Sequence, residues 1–163
     1  MTTADVTASR GAIDWRAIIW ATIISGLLFA VLEMILSPLV RGGTPWTPVR
    51  YIAGIVMGQG VTQPPHTFDL AVITVGVVFH MALSLVYVII LAFIINRMST
   101  GMSIVVGAVF GLVLYLINFH GFTAVFPWWV NARGWLSIFT HIVFGIAVAW
   151  PYKALQRQRP VNP

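Results

Sequence analysis

The chain contains no cysteine and very little charge. Without cysteine it has no disulfides, no thiolate metal ligands and no cysteine nucleophile. Only 8% of the 163 residues are charged and 59% are hydrophobic, whereas a soluble domain carries about 25% charged residues. Because so few charges cannot cover a water-exposed surface, the composition predicts an integral membrane protein in contact with a lipid bilayer.

Several functional signatures are also missing. The sequence has no glycine-rich phosphate loop, no evident acyl-transfer triad and no paired Glu-x-x-His metal motif. The net charge is +5, but the basic residues lie outside the apolar runs instead of clustering on one soluble face. We therefore expect no nucleic-acid partner, and the sequence requires no cofactor.

Four apolar runs are long enough to cross about 30 Å of hydrocarbon as helices. They predict an all-α fold, an integral membrane bundle of four transmembrane helices, with spans at about 15–37, 69–95, 102–119 and 134–150. The transmembrane domain would occupy residues 15–152, between a polar N-terminal tail (1–14) and a basic C-terminal tail (153–163). The first run exceeds the usual 7–15 residues of a signal-peptide core, which favours a retained span.

The one long connection, residues 39–68, carries a helix signal of its own. Thr47 followed by Pro48 is typical of an N-cap with proline at the first helical position. The segment Val49–Met57 then forms a short amphipathic helix in the first outer loop. An interfacial helix is the simpler interpretation, and re-entry of residues 48–58 into the membrane stays open.

Basic residues set the expected orientation, since cytoplasmic flanks are richer in lysine and arginine. The side holding both termini carries six such residues and the opposite side three. Both termini are therefore predicted to be cytoplasmic, in a bacterial cytoplasmic (inner) membrane. The six are Arg10, Arg16, Arg97, Lys153, Arg157 and Arg159; the three are Arg41, Arg50 and Arg133.

Each span carries small or polar residues at intervals of three or four, which places them on one helix face. Such faces mediate helix association in lipid, so we expect them to point into the bundle. The stripes are Thr22, Gly26, Ala30, Glu33 and Ser37; Gly76, His80, Ser84 and Tyr87; Gly107, Gly111, Tyr115 and Asn118; and Ser137, His141, Gly145 and Ala149. Gly26, Gly76, Gly107, Gly111 and Gly145 are the expected helix-packing positions.

The rare polar residues of the spans form the candidate intramembrane site. Glu33 is the only glutamate, and a carboxylate in hydrocarbon is costly unless it is paired, hydrated or protonated. An intramembrane histidine is one expected partner. Glu33 is then either a proton-titrating or cation-binding group or a satisfied interhelical hydrogen bond. The candidate set is Glu33, His80, Tyr87, Tyr115, Asn118, His120 and His141. Glu33 and the three histidines are expected in the outer half of the membrane or at its midplane.

Histidines and a carboxylate from several helices also raise the hypothesis of a haem or metal site, whose metal the sequence leaves unknown. A lone intramembrane histidine is more often a hydrogen-bonded packing residue. His120 lies two residues from Asn118, about 200° around an α-helix. Both can face the interior only if the helix breaks there.

The second half of the chain resembles the YagU-like family of small bacterial inner-membrane proteins. The resemblance covers about residues 70–150 and depends on Val78-Phe79-His80-Met81, Asn118-Phe119-His120-Gly121-Phe122, and Phe126-Pro127-Trp128-Trp129 leading to Phe139-Thr140-His141-Ile142. It implies an inner-membrane protein without an assigned reaction. Similar short chains are sometimes labelled sodium:proline symporter, although true symporters are built from inverted repeats that four spans cannot supply.

Three functional hypotheses follow. The first is a non-enzymatic, transporter-like protein whose Glu33–His80–His141 face handles protons, a cation or a small solute, with a homodimer as one arrangement. The second is an accessory or assembly subunit of a larger membrane complex. The third is a haem- or metal-binding membrane protein.

Overall fold

The computed structural model describes residues 13–156, which form five α-helices and no strand. They are α1 (Trp15–Arg41), α2 (Thr47–Met57), α3 (Leu70–Ile95), α4 (Thr100–Leu116) and α5 (Trp135–Gln156). A π-helical turn, Ile117–Gly121, follows α4, and 3-10 turns lie at Gln59–Thr62, Phe122–Ala124 and Pro127–Ala132. Four helical segments are long and apolar enough to cross a membrane, which confirms the all-α class and indicates a multi-pass membrane protein.

Polar residues begin three of the long helices where the apolar runs start. Asp14 accepts a hydrogen bond from the Ala17 amide (3.1 Å), and Asp69 accepts one from the Val72 amide (3.1 Å). Ser99 does the same at the start of α4. These side chains satisfy amides that have no partner inside their own helix.

Two helices extend past prolines that lie just beyond the predicted spans 15–37 and 134–150. Helix α1 continues through Pro38 to Arg41 and stops at Gly42, whose φ of +78° suits glycine. Helix α5 continues through Pro151 to Gln156. A proline removes one backbone donor and crowds the carbonyl four residues earlier, yet both helices remain continuous through it. The predicted C-terminal tail therefore begins too early, because Lys153 is buried inside α5.

Small residues allow the closest approach in the bundle, between α4 and α5. A Cβ atom on Gly107 or Gly145 would overlap the carbonyl of the other residue. A Cβ atom on Gly111 would overlap the carbonyl of His141. Gly26 and Gly76 also lie in tight contacts, so all five glycines that were predicted to pack helices lie at close approaches. Every member of the four predicted stripes is buried or half-buried.

The two ends of the bundle differ in their packing. We call the end where α1 begins and α5 ends the terminal end, and the opposite end the loop end. The terminal half holds the hydrophobic core, in which Ile18, Leu91, Ile95 and Tyr152 are fully buried. Lys153 donates hydrogen bonds to the carbonyl of Asn96 (3.0 Å) and thereby caps α3. Helices α4 and α5 pack together, as do α1 and α5, whereas α3 packs mainly against α1 and α2.

Helix α2 lies against the first turns of α3 at the loop end. It begins one residue earlier than expected: Trp46 occupies the N-cap, and Thr47 instead accepts a hydrogen bond from the Thr44 amide (3.2 Å). The Val49 carbonyl sits over Gly76, where a Cβ atom would approach it to 2.5 Å. The helix is thus docked on the bundle, while its depth in the bilayer stays a prediction.

Candidate functional site

The loop half of the bundle encloses a cavity of about 660 Å³. Side chains of α1, α3, α4 and α5 form its walls, and α2 with the segment 122–132 covers it. This volume lies within the range of about 300–1,000 Å³ that is usual for small-molecule sites. Five of the seven predicted site residues line it: Glu33, His80, Tyr87, Asn118 and His141.

Glu33 is paired, but not with a histidine as expected. Thr140 of α5 donates its hydroxyl hydrogen to Glu33 Oε1 (2.7 Å), and Arg41 Nη1 lies 3.6 Å from Oε2. Arg41 is two turns further along the same helix and also donates from Nη2 to the hydroxyl of Ser137 (2.8 Å). The carboxylate is therefore held in an ion pair that ties α1 to α5 at the cavity wall.

A directed chain of hydrogen bonds crosses the cavity from α3 to α5. His141 Nδ1 lies 2.8 Å from the Ser137 carbonyl, and because a carbonyl only accepts, Nδ1 carries the hydrogen. In the neutral imidazole, Nε2 then accepts from the amide nitrogen of Asn118 (3.4 Å). The Asn118 oxygen in turn accepts from the Tyr87 hydroxyl (3.2 Å). This arrangement fixes the orientation of the amide and the imidazole tautomer.

His80 contributes a different arrangement. Its Nε2 donates to the Gly26 carbonyl of α1 (2.9 Å), which leaves Nδ1 as an acceptor in the neutral ring. No residue between 13 and 156 makes a hydrogen bond to this Nδ1. The Phe29 ring stacks on His80 at 5.6 Å and meets His141 edge-on at 5.0 Å, so it separates the two imidazoles.

His120 and Tyr115 do not join the cavity. His120 is exposed, and its Nε2 lies 3.4 Å from the Tyr115 hydroxyl. The helix does change at this point, into the π-helical turn Ile117–Gly121, but Asn118 alone of the pair turns inward. Tyr115 is buried against Phe119 and His141 instead of lining the cavity. These two predicted site residues therefore lie outside the cavity lining.

Arg41, Thr140 and Phe29 belong to the site but were missed. Arg41 lies beyond the predicted span 15–37, so the sequence pattern did not place it beside Glu33. The spacing Glu33, Ser37, Arg41, each four residues apart, is a signal that could have found it. Thr140 gave no comparable signal, because the predicted inward stripe of the fourth span runs through the next residue, His141.

The cover over the cavity is held by specific side chains. Trp128 donates its indole N–H to the carbonyl of Tyr51 in α2 (3.0 Å). Arg50 donates to the carbonyls of Val61 (2.9 Å) and Thr67 (2.9 Å), which fixes the segment after α2. Because these bonds link α2 to both outer segments, the cover is a built structure and not an open loop.

The part of the chain that the structure describes contains no cluster of metal ligands. No group of three or more His, Asp or Glu side chains in residues 13–156 could hold a metal ion together. Glu33 is engaged by Arg41 and Thr140, and Phe29 lies between His80 and His141. The geometry thus offers separate polar groups around an apolar space.

Comparison of the chain with protein-family models, with curated proteins and with solved structures yields no match. The site must therefore be interpreted from its own geometry.

Proposed function

We propose that this protein handles a small solute, in the manner of a transporter, and that the central cavity is where the solute binds. The observation that carries the proposal is the cavity of about 660 Å³ with Glu33, His80, Tyr87, Asn118 and His141 in its walls. Apolar walls with a few convergent polar groups are the usual composition of a small-molecule site. The function is binding and movement of a solute without chemical change.

The pairing of Glu33 favours a solute over a proton or a cation. Its carboxylate already accepts a hydrogen bond from Thr140 and pairs with the Arg41 guanidinium. A cation would have to displace Arg41, which is held close to Glu33 by the same helix. The cavity also offers far more volume than an ion needs. We therefore propose that the Glu33–Arg41 pair stabilises the cavity wall and that the solute occupies the remaining space.

We further propose a bacterial cytoplasmic membrane location, with both termini cytoplasmic, as in the YagU-like family that the second half resembles. The three basic residues at the loop end have structural partners: Arg41 binds Glu33, Arg50 binds loop carbonyls, and Arg133 donates to the Phe119 carbonyl (2.6 Å). Their presence at that end thus has a local reason. Arg16 and Arg97 at the terminal end are exposed, as cytoplasmic flanking charges are.

A homodimer or a larger complex is not part of this proposal, because residues of a single chain line the cavity. Solute binding by the isolated chain is therefore expected. This expectation separates the proposal from an accessory-subunit role, which predicts activity only with partners.

A cavity-filling substitution tests the proposal. Ala30 lines the cavity, whereas its neighbour Val31 is 51% exposed on the outside of α1. In lipid nanodiscs, a panel of amino acids, organic cations, organic anions and neutral lipophiles is screened for ligand-induced thermal stabilisation. At least one class should stabilise the wild type and Val31→Trp but not Ala30→Trp. Efflux of that solute from proteoliposomes should follow the same order.

The proposal fails if no class stabilises the wild type more than Ala30→Trp. It also fails if the bound solute leaves vesicles containing wild type no faster than vesicles containing Ala30→Trp.

A further inference from the structure

The charges in the cavity wall cancel. Arg41 and Glu33 are its only lysine, arginine, aspartate or glutamate side chains among the described residues, and they form an ion pair with each other. A charged solute would enter an apolar space without a free counter-charge, at a high desolvation cost. The balance of charge favours an uncharged occupant.

The remaining wall is predominantly apolar and aromatic. Phenylalanine rings from α1, α3, α5, the π-helical turn and the segment after that turn line the space, together with Leu83 and Leu114. The rings are Phe29, Phe79, Phe119, Phe122, Phe126 and Phe144. Such a surface binds an apolar body by removing it from water or from the headgroup region.

His80 Nδ1 is one of several polar atoms in the wall that have no hydrogen bond within residues 13–156; the hydroxyls of Tyr51 and Ser84 are others. His80 Nδ1 has no hydrogen-bond partner within residues 13–156, while Nε2 is fixed on the Gly26 carbonyl. By contrast, the hydrogen bonds of His141 and Asn118 form a closed chain. Of the wall atoms without a hydrogen bond, the neutral His80 Nδ1 can only accept, so an occupant needs an O–H or N–H donor to bind it.

Two residues that line the cavity beside α3 and the end of α4 keep large exposed fractions. Val77 of α3 and Phe122, just after the π-helical turn, both line the cavity and yet are 42% and 46% exposed. Helix α3 packs mainly on α1 and α2 and contacts α4 much less. Its contact with the end of α4 includes the Tyr87–Asn118 hydrogen bond (3.2 Å). Both helices are strongly apolar, with mean hydropathies of 2.7 and 2.2 over their spans.

Building on the proposed function, we infer that the solute is an uncharged lipophilic molecule with one hydroxyl or N–H donor, such as an alkylphenol, which enters from the bilayer between α3 and α4. The apolar body lies among the phenylalanine rings, and the donor binds His80 Nδ1. The Tyr87–Asn118 bond closes the gap at the level of the site.

The ligand class is tested with three probes of one shape: 4-heptylphenol, its methyl ether, and 4-heptylbenzenesulfonate, with L-proline as a water-soluble comparison. Binding is measured as thermal stabilisation of the full chain in nanodiscs, with Ala30→Trp as the baseline for effects on lipid. The phenol should bind the wild type about threefold to tenfold more tightly than the ether, as expected for one hydrogen bond. The His80→Phe variant, which keeps an aromatic ring, should bind the phenol and the ether with equal affinity.

The entry route is tested with single cysteines, which the native chain lacks. Pyrenylmaleimide attached at Val77→Cys should slow or abolish binding of the phenol. The same label at Val109→Cys, which is 56% exposed on α4 and outside the cavity, should not. Equal binding by both labelled proteins would overturn entry between α3 and α4.

The outcomes separate this inference from the proposed function. If the sulfonate or proline binds the cavity more tightly than the phenol, the uncharged-lipophile inference is overturned while solute binding stands. If His80→Phe keeps the preference for phenol over ether, the assignment of His80 is overturned. If neither these probes nor the wider panel binds in a manner that Ala30→Trp blocks, the proposed function itself fails.

Discussion

The Glu33–Arg41 pair should contribute measurably to folding, because it lies in the apolar interior of the loop half. The side chains of Arg41 and Glu33 are 19% and 10% exposed, and the charged atoms are 3.6 Å apart. At an effective dielectric of about 20, charges at that distance attract by about 5 kcal/mol before desolvation is counted. Replacing Arg41 by methionine leaves a carboxylate with Thr140 alone. Loss of one partner of a buried pair costs about 3–5 kcal/mol, and the partial exposure of Arg41 places Arg41→Met near 3 kcal/mol.

The conservative change Glu33→Gln should cost less, about 1 kcal/mol, since the amide still accepts a hydrogen bond from Thr140. The double variant removes both charges and should be more stable than the sum of the single effects predicts, by about 2 kcal/mol. Denaturant unfolding in detergent micelles, followed by circular dichroism, measures all four proteins. Arg97→Met at the exposed terminal end is the matched control and should change stability by less than about 0.5 kcal/mol.

Two results would refute this reasoning. One is an Arg41→Met protein as stable as the Arg97→Met control. The other is strict additivity in the double variant, which would mean that the two side chains do not interact in the folded protein.

Three further substitutions have defined outcomes in the same unfolding assay. Gly111→Ala should destabilise the protein by about 1–3 kcal/mol, because the added methyl group meets helix backbone that cannot move aside. Gly101→Ala is the control: its methyl group meets nothing within 4 Å, so stability should stay the same or rise slightly. Lys153→Met should cost about 1–3 kcal/mol by leaving buried carbonyls at the end of α3 without their donor. Trp128→Phe should cost about 1 kcal/mol and speed amide hydrogen exchange in α2, whose Tyr51 carbonyl loses its partner. Unchanged exchange in α2 would contradict the assigned role of Trp128.

The four spans and the inward stripes could be predicted from the sequence for one physical reason. In lipid, polar and small residues gain nothing on the outside of a helix, so their spacing reveals the interior face. This rule predicts that Gly107, Gly111 and Gly145 face the interior. It also predicts the burial of Ser137 and His141. The rule concerns a single helix at a time and therefore needs no knowledge of the fold.

The sequence could not predict where the helices end or which side chains of different helices come into contact. A proline near a helix end can stop the helix or be included in its last turn. At Pro38 and Pro151 it is included, which brings Arg41 to Glu33 and buries Lys153. These outcomes are decided by partners on other helices, which one span's pattern does not contain.

The π-helical turn at Ile117–Gly121 is a similar case. The sequence identified the conflict between Asn118 and His120 but could not decide which side chain turns inward. The structure resolves it through Tyr87 and His141, which come from two other helices and hold Asn118 between them. His120 is left on the exposed side.

The central claim is that lipid is the solvent for the outer faces of these helices, while the polar groups shelter inside. Nitroxide labels on single cysteines at Val31 and Val109, both more than half exposed, test it most directly in reconstituted membranes. Collisions with oxygen, which concentrates in hydrocarbon, should be frequent, and collisions with a water-soluble nickel chelate should be rare. Frequent nickel collisions at both positions would mean that water covers these faces, which would contradict the account.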